Sequence, residues 1–499
     1  AALIAYVALA CPVAGGKDGG EFVLVLAQRG LAHPTGYPLY TLLGHAFVTA
    51  LNSAGASWAW AANVWSGVGG AVAIGLVHAL LARLLAPTLG PTRAAVVAVL
   101  PLAILALNPV WTDETTLAEV YSWHLAWVAG ASLFAQRAAR LLADRASGTA
   151  SLRGLALGWG VLLGIGAVHH TSSVLFALPF TVMLVLATVR AGRPLGGLVA
   201  VAAIGMVLPL LSLGHVAWHA SHDAVVRWPA LEPGWRGVLD HVTGAQYRSF
   251  LGRFAPSPSQ ARLLTTEVAP WLAVGVLGAL MTLRRGDLFP RTLAIAMLLQ
   301  TAACFLYGVP DPASYFLPPL FMGVVLATRE LVTVPLVKRQ GMACALVAAA
   351  LAIASLVHGV TVAQARLRAM TGLDTLLRRM WASLPDEPGF VVWDDDMAQM
   401  LRGYQLLEGD KPRLTVIAPR RLTYPHEYAR FMAQYGFDPL AGLSAPRPGD
   451  AAAEDAMLAG IEANLNRSPL PVYEFLPRIP SLRRLNKSAV ATPDSVEAR

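Results

Sequence analysis

"AALIAYVALACPVAGGKDGGEFVLVLAQRGLAHPTGYPLY", residues 1–40, joins an apolar run to a loop rich in acids, prolines and tyrosines. Crossing the hydrocarbon core of a bilayer takes about 20 apolar residues, and the opening run is shorter than that. We interpret it as the end of a first membrane helix that starts before residue 1. A cleaved signal peptide is the alternative. The side of the membrane on which the next loop lies then determines the orientation of all later membrane helices and loops.

The composition excludes a soluble globular protein. Of the 499 residues, 56% are hydrophobic and only 14% are charged, and the mean hydropathy is +0.54. Soluble domains carry about a quarter charged residues. The net charge of +8 comes from Lys and Arg clustered between apolar runs, which is typical of cytoplasmic loops rather than of a nucleic-acid surface. All three cysteines lie within apolar runs, so neither a disulfide framework nor a zinc site is indicated.

Ten further apolar runs are long enough to cross a membrane. With the opening run they predict an all-α polytopic membrane protein of about 11 transmembrane helices embedded in the lipid bilayer. The ten runs lie near residues 59–85, 92–108, 117–139, 152–168, 172–189, 195–218, 268–284, 291–307, 315–333 and 341–363. Glycines within these runs are expected to let neighbouring helices approach closely.

Residues 36–53 are better suited to the membrane interface than to a crossing. This segment, "GYPLYTLLGHAFVTALNS", is amphipathic. The Lys and Arg clusters alternate as the positive-inside rule requires only if it does not cross. It is therefore predicted to be an amphipathic helix within the first external loop.

This topology places four more polar loops on the same external side: residues 108–124, 166–173, 219–267 and 307–316. Acidic residues at the membrane edge are costly and usually functional. The convergence of these loops predicts one external cavity.

The composition also predicts the domain organisation. Residues 1–364 form the membrane domain, and residues 365–480 form a small external α/β appendage, since "GFVVWDDD", "MAQMLRGYQLLEG" and "RLTVIAP" are typical of strand, helix and strand. Residues 481–499 lack any core-forming pattern and are expected to be disordered.

Asp18 and Glu21 are the candidate catalytic residues. Their spacing of three places them on one face of a helix. A carboxylate near an acceptor hydroxyl can take its proton and so act as a general base. The alternative is structural, because Asp18 and Glu21 also fit a capping box.

His33 and Tyr37 lie in "HPTGYPLY", where prolines and a glycine shape a sharp turn. Both side chains are candidates for hydrogen bonds to a lipid-linked phosphate or a sugar. Tyr40, by contrast, is interpreted as an aromatic anchor at the membrane interface.

Two further polar segments supply candidate binding residues. "AEVYSWH" places Glu119 and Tyr121 at the external end of a helix, where an acid more often faces the bundle than the lipid. In the same loop, Asp113 and Glu114 are expected to be solvated. "HHTS" contributes His169 and His170, which point about 100° apart on a helix.

Another candidate segment is predicted to be external and is rich in basic residues. Residues 219–267 hold five arginines, against the positive-inside trend, and include Tyr247 and Arg248 in "GAQYRSF". A guanidinium can hold a phosphate with two hydrogen bonds, which suits an anionic ligand. The HExxH metal motif is absent, and neither His169 nor His170 belongs to an HxxxH pair, so no metal site is predicted.

Several of these motifs occur in one order that resembles a known family. DGGEF (18–22), HPTGYPLY (33–40), NVWS (63–66), AEVYS (118–122) and GAVHHTS (166–172) resemble the motifs of the protein O-mannosyltransferase family of the transmembrane protein 260 type. That family belongs to the GT-C superfamily of membrane glycosyltransferases. The resemblance is strong over residues 1–220 and weaker to about 420. Gly19 stands where the family has serine, and Thr35 where it has the second proline.

The resemblance implies an inverting transfer on the external face. The donor would be a polyprenyl-phosphate sugar, mannose first, the acceptor a hydroxyl of a protein or glycan, and the catalytic base Asp18, with no cofactor. In a bacterial cell, the chain would lie in the inner membrane with its site and appendage in the periplasm. A transporter or flippase for a lipid-linked substrate and a non-catalytic scaffold subunit are the alternatives, although the sequence shows no repeated halves.

Overall fold

The computed structural model describes residues 1–16, 18–144, 148–222, 224–446, 451–475 and 496–498. It is predominantly helical, with one small sheet. Its helices are α1 Ala2–Leu9, α2 Asp18–Gln28, α3 Pro38–Ser53, α4 Trp58–Leu89, α5 Pro91–Leu105, α6 Pro109–Thr116, α7 Tyr121–Ala143, α8 Thr149–His169, α9 Val174–Arg190, α10 Leu195–Leu210, α11 Leu213–Ser221, α12 Gly234–Val242, α13 Pro258–Leu263, α14 Ala269–Arg285, α15 Leu288–Phe305, α16 Leu317–Leu331, α17 Pro335–Arg339, α18 Gly341–Ser383, α19 Asp395–Glu408, α20 Pro425–Tyr435 and α21 Ala451–Leu465.

Every apolar run predicted to cross the membrane is helical. Six helical segments in the described residues are long and apolar enough to span a bilayer, and two bent pairs raise this number to eight. The pairs are α5 with α6, bent by 87°, and α10 with α11, bent by 41°. The all-α membrane fold is therefore confirmed, while the number of 11 crossings stays a prediction. The amphipathic segment 36–53 forms α3.

Glycines set the spacing of several membrane helices, as the sequence predicted. Helix α8 packs along α10. A methyl group added at Gly160 would collide with the backbone carbonyl of Ala202, and one at Gly205 with the carbonyl of Leu157. Since these obstacles are backbone atoms, neither helix can yield without moving apart from the other. The close approach of the two helices therefore depends on the missing side chains.

The appendage is built on a four-stranded sheet. Its strands are β1 Gly389–Val392, β2 Leu414–Ile417, β3 Val472–Phe475 and β4 Val496–Ala498. The strand order is β2-β1-β3-β4; β1 pairs in parallel with β2 and β3, and β4 pairs antiparallel to β3. Most of the tail predicted to be disordered, 481–499, lies outside the described residues, and the part that is described forms β4.

Two helices connect the appendage to the membrane domain. Helix α18 is 43 residues long and runs from a candidate membrane span to the start of the sheet. Helix α19 follows β1 and packs on α2, the helix that begins at Asp18. A methyl group at Gly20 would lie 3.5 Å from the Cβ of Gln399, which shows how closely the two helices approach. The first external loop and the appendage thus share one interface.

We predict that Gly160→Leu destabilises the membrane domain. The added side chain must separate α8 from α10, and overpacking of this kind costs about 1–3 kcal/mol. Thermal unfolding of the purified protein in detergent should show a lower midpoint. Gly154→Leu on the same helix is the matched control, because no atom lies within 4 Å of a methyl group there. Equal midpoints for the two variants would contradict the packing role of Gly160.

Candidate functional site

The polar loops predicted to converge do enclose a common cavity. Its volume is about 850 Å³. Its wall combines the start of α2, the turn before α3, the loops after α8 and α15, and the segment before α13, and it also includes residues of α18 and α19. The predicted single cavity is therefore present. Its position on the external side of the membrane stays a prediction.

A charged cluster of three side chains lies where α2 begins. The His33 Nε2 atom is 3.8 Å from Asp18 Oδ2, and its Nδ1 atom is 3.3 Å from Glu21 Oε1. The backbone N–H of His33 also donates to Glu21 Oε1 at 2.6 Å. The side chains of His33 and Glu21 are both buried, whereas that of Asp18 is 56% exposed. Asp18 is therefore the accessible carboxylate, and Glu21 holds His33 from behind.

Burial and pairing oppose each other in this cluster. Burial alone would lower the pKa of His33, but the carboxylates of Asp18 and Glu21 raise it to about 9. Burial alone would raise the pKa of Glu21, but His33 and, more weakly, Arg421 keep it below its usual value. His33 is thus an imidazolium at neutral pH. The cluster then carries one positive charge against two negative charges.

The turn that delivers His33 relies on unusual backbone angles. Gly36 has a φ of 81° and Tyr37 a φ of 44°, both in the left-handed region. A methyl group at Gly36 would also come within 3.1 Å of His241 Nε2. That ring nitrogen hydrogen-bonds to the carbonyl of Ala32 at 3.1 Å, which ties α12 to the turn. The Tyr37 hydroxyl lies 3.3 Å from His33 Nε2.

A second group of rings lines the cavity beyond the turn. His170 stacks near Tyr121 and Tyr315, with ring centroids 5.5 and 5.7 Å away. The hydroxyl of Ser172 lies 2.8 Å from His170 Nδ1 and 3.0 Å from His124 Nε2, so it fixes both imidazoles. Aromatic faces with a few oriented polar atoms are typical of small-molecule sites.

Arg366 connects α18 to the cavity wall. Its guanidinium forms an ion pair with Asp113 and donates to the Thr116 hydroxyl at 2.5 Å. Asp113 and Glu114 were predicted to be solvated, and this was wrong. Asp113 is paired, and Glu114 is only 4% exposed and accepts a hydrogen bond from Ser314 at 2.5 Å. Their partners are distant in sequence, so the local pattern gave no sign of them.

Most of the predicted site residues line the cavity, and three do not. Those in the wall are Asp18, His33, Tyr37, Tyr121, His170, Tyr247 and Arg248. Glu21, Glu119 and His169 are buried behind it. The backbone of Glu119 is fixed to α4: its carbonyl accepts a hydrogen bond from the Ser66 hydroxyl at 2.8 Å, and its N–H donates to the same hydroxyl at 2.9 Å. His169 is the last residue of α8 and does not line the cavity, whereas His170, just past the end of the helix, does.

The sequence analysis missed several polar residues of the wall, among them Gln300, Arg366 and Asp396. Tyr307, Asp311 and Tyr315 lie in the loop 307–316, which was predicted to converge, but they were not singled out. Arg366 lies just past the apolar run 341–363, where a charge at the end of a membrane helix is a usable signal.

Asp18, Glu21 and His33 also resemble a cation site in their spacing. Each offers a ligand atom, and these atoms lie within 4.8 Å of one another. In the absence of a metal, the proton on His33 offsets part of the charge of the two carboxylates. A metal ion would displace this proton to bind His33, so the absence of a metal site stays a prediction.

We predict that the His33 cluster makes stability fall at alkaline pH. The pKa of His33 is raised in the folded state, so its contribution is complete below about pH 6.5 and is lost as the pH rises through about 9. The thermal midpoint of the wild type should therefore fall between pH 7 and pH 10 more steeply than that of His33→Gln. His222→Gln, at an exposed position, should keep the wild-type slope. Parallel slopes for all three proteins would contradict the pairing.

Known proteins match part of the chain in sequence. Residues 18–193 match the family described as the Protein O-mannosyl-transferase TMEM260 N-terminal domain. The chain is 42% identical over 62 residues to Protein O-mannosyl-transferase tmem260 of Dictyostelium discoideum. That segment is 12% of this chain and only 8% of the Dictyostelium protein.

Solved structures resemble nearly the whole chain. ArnT from Cupriavidus metallidurans bound to undecaprenyl phosphate superimposes with a TM-score of 0.57 at 12% identity, covering 98% of this chain and 94% of ArnT. Its apo form gives a TM-score of 0.52 at 13% identity, with the same coverage. At this identity the likeness shows the fold alone, which is the fold of ArnT. The match to the TMEM260 N-terminal domain family covers residues 18–193, about a third of the chain, and the fold of ArnT covers nearly all of it.

Proposed function

We propose that this chain is an inverting membrane glycosyltransferase. It transfers a sugar, with mannose as the first candidate, from a polyprenyl-phosphate donor to a hydroxyl of a protein or glycan. The observation that carries the proposal is the meeting of Asp18, His33, His170 and Arg248 in a single cavity whose wall includes a candidate membrane span. The family match over residues 18–193 supports the same reaction class.

The lipid-linked donor suits the mixed wall of the cavity. Val174, Leu175 and Leu251 line it together with the polar residues, and Val174 and Leu251 are largely exposed. An apolar chain in the bilayer can therefore reach a wall that also offers charged groups. ArnT, which has the same fold, was crystallised with undecaprenyl phosphate. The volume of about 850 Å³ lies in the range of cavities that hold a small ligand.

Asp18 is assigned as the general base. The acceptor oxygen attacks the anomeric carbon, and its proton passes to the Asp18 carboxylate. At the same time the bond between that carbon and the phosphate oxygen breaks, with the electron pair leaving on the phosphate. His33, held by Glu21, lies 3.8 Å from Asp18 and fixes its position. Attack opposite to the leaving group inverts the configuration of the sugar.

Arg248 is assigned to the departing phosphate. It lies in the helical turn Ala245–Phe250 and lines the cavity. Within the described part of the chain its guanidinium has no carboxylate partner, whereas Arg366 is committed to Asp113. A positioned cation stabilises negative charge as it develops on the leaving group. His170 and Tyr121 complete the donor side with a polar ring atom and an aromatic face.

The reaction is assigned to the external face, which is the periplasm in a bacterial cell. The basis is the distribution of Lys and Arg along the sequence, because the clusters between apolar runs are expected on the cytoplasmic side. The cavity, α3 and the appendage then lie opposite those clusters.

The direct test is sugar transfer by the purified protein. Radiolabelled polyprenyl-phosphate mannose is supplied with peptides that contain Ser and Thr and with methyl glycosides as acceptors. Transfer of label with an inverted linkage supports the proposal. Movement of the intact lipid across the vesicle membrane without sugar transfer would instead indicate a transporter. The absence of both activities would indicate a scaffold subunit.

We predict that Asp18→Asn lowers turnover by about 100- to 10,000-fold, the usual contribution of a positioned base. The amide keeps the size of the side chain but cannot take a proton. Initial transfer rates at saturating donor measure the effect, with thermal unfolding as the check on folding. Asp240→Asn, at an exposed position on α12 outside the cavity wall, is the control. Wild-type turnover in Asp18→Asn would contradict the assignment of Asp18 as the general base.

We predict that Arg248→Ala raises the KM for the donor about tenfold or more, because a charge-assisted contact to phosphate is lost. Arg248→Lys should recover part of this loss, since it keeps the charge but not the two-pronged geometry. Arg236→Ala provides the control, at an exposed arginine of the same external segment that lies outside the cavity wall. A donor KM that Arg248→Ala leaves unchanged would place the phosphate elsewhere.

We predict that transfer is independent of divalent cations. The proton on His33 partly offsets Asp18 and Glu21, so the cluster is held without a metal ion. Transfer rates after dialysis against EDTA should match those of untreated protein. A loss of activity that Mg²⁺ or Mn²⁺ restores would show instead that Asp18, Glu21 and His33 form a metal site.

A further inference from the structure

The appendage contributes a carboxyl group to the cavity. The run Asp394, Asp395 and Asp396 opens α19, and only the third of these lines the cavity. The side chain of Asp394 caps the helix by accepting from the backbone N–H of Met397 at 3.0 Å. That of Asp395 accepts from Arg421 Nε at 2.7 Å. Three neighbouring acids therefore have three different roles, and the first two are structural.

Asp396 has no such structural partner. In the described ranges its carboxylate makes neither a hydrogen bond nor an ion pair, although it is partly buried. Burial and the nearby carboxylates of Asp394, Asp18, Asp395 and Asp311 raise the pKa of Asp396 to about 7. A side chain placed at such a cost, without a stabilising partner, is typical of a functional position.

Two other residues of the wall carry buried polar atoms. Thr35 and Gln300 line the cavity, and the Thr35 hydroxyl and the Gln300 carbonyl oxygen have no hydrogen-bond partner among the described residues. Thr35 is 5% exposed and Gln300 is 2% exposed. Since apolar side chains would pack there without this cost, the wall is polar beneath its surface as well as on it.

We infer that Asp396 binds the acceptor, and that the acceptor is a neutral or basic hydroxyl compound rather than an anionic one. The inference rests on the proposed function. Asp396 belongs to the appendage, which is outside the membrane-spanning segments, so it meets the molecule that arrives from water rather than the one that arrives from lipid. The carboxylate of Asp396 also repels the donor phosphate, so Asp396 does not belong to the phosphate subsite.

Charge around Asp396 gives the acceptor its chemistry. Asp18, Asp311 and Asp396 lie close enough to interact electrostatically. Asp311 is held by Gln260 Nε2 at 2.5 Å and so keeps its place in the wall. A hydroxyl that donates to Asp396 is brought to the same region as the Asp18 base. An acceptor with a carboxylate beside its hydroxyl would meet the like charges of Asp18 and Asp311 and, above a pH of about 7, that of Asp396, which destabilises the complex.

The test compares Asp396→Asn with Asp395→Asn in full-length protein. The probes are radiolabelled polyprenyl-phosphate mannose and two Thr peptides that differ only in Lys or Glu beside the threonine. Wild type should prefer the Lys peptide. Asp396→Asn should raise the KM for this peptide about tenfold, leave the donor KM within twofold, and shrink the preference for Lys over Glu at least threefold. Asp395→Asn should behave as wild type in all three measurements.

Each outcome bears on one of the two claims. No transfer by the wild type to peptides or to neutral methyl glycosides would overturn the proposed function, and the inference with it. Transfer by the wild type with an unchanged acceptor KM and an unchanged charge preference in Asp396→Asn would overturn the inference alone. A higher donor KM instead of a higher acceptor KM would place Asp396 in the donor subsite. A lower thermal midpoint with unchanged kinetic constants would show a purely structural role and would likewise overturn it.

Discussion

The site depends on the ion pair between His33 and Glu21. A buried carboxylate without a partner is strongly unfavourable, and so is a buried imidazolium. Each makes the other tolerable, and the backbone N–H of His33 adds a third contact at 2.6 Å. This pairing joins the turn before α3 to the first turn of α2. The position of Asp18 at the cavity is the direct consequence, because Asp18 begins α2 and lies beside the same ring.

The sequence predicted features that depend on local patterns. Each apolar run coincides with helix in the described residues, and the spacing of Asp18 and Glu21 placed both on α2. Features that depend on distant contacts were not predicted. Asp113 was expected to be solvated because its partner, Arg366, lies 253 residues away. Hydrophobic periodicity gives the faces of a helix but not which helix covers each face, so only the structure could bring Arg366 and Asp396 to the cavity.

The appendage is fixed to the site rather than tethered near it. Helix α19 packs on α2 through Gly20 and is held from the other side by α18. The Tyr404 hydroxyl donates to Asp374 at 2.8 Å, and Arg378 forms a two-pronged pair with Glu408 at 2.7 Å. Since α18 is continuous with a candidate membrane span, the sheet and the membrane domain share one rigid element.

This arrangement separates two kinds of charge within one cavity. A phosphate and a carboxylate base repel each other, yet inverting transfer needs them on opposite sides of the same carbon. The loop segment supplies Arg248, which has no carboxylate partner among the described residues, while α2 and the appendage supply Asp18 and Asp396. Arg366 adds no second cation to the carboxylate side of the cavity, because its charge is neutralised by Asp113. In the proposed reaction, the donor phosphate would be drawn to one part of the wall, and the acceptor hydroxyl would meet the carboxylates that position and deprotonate it.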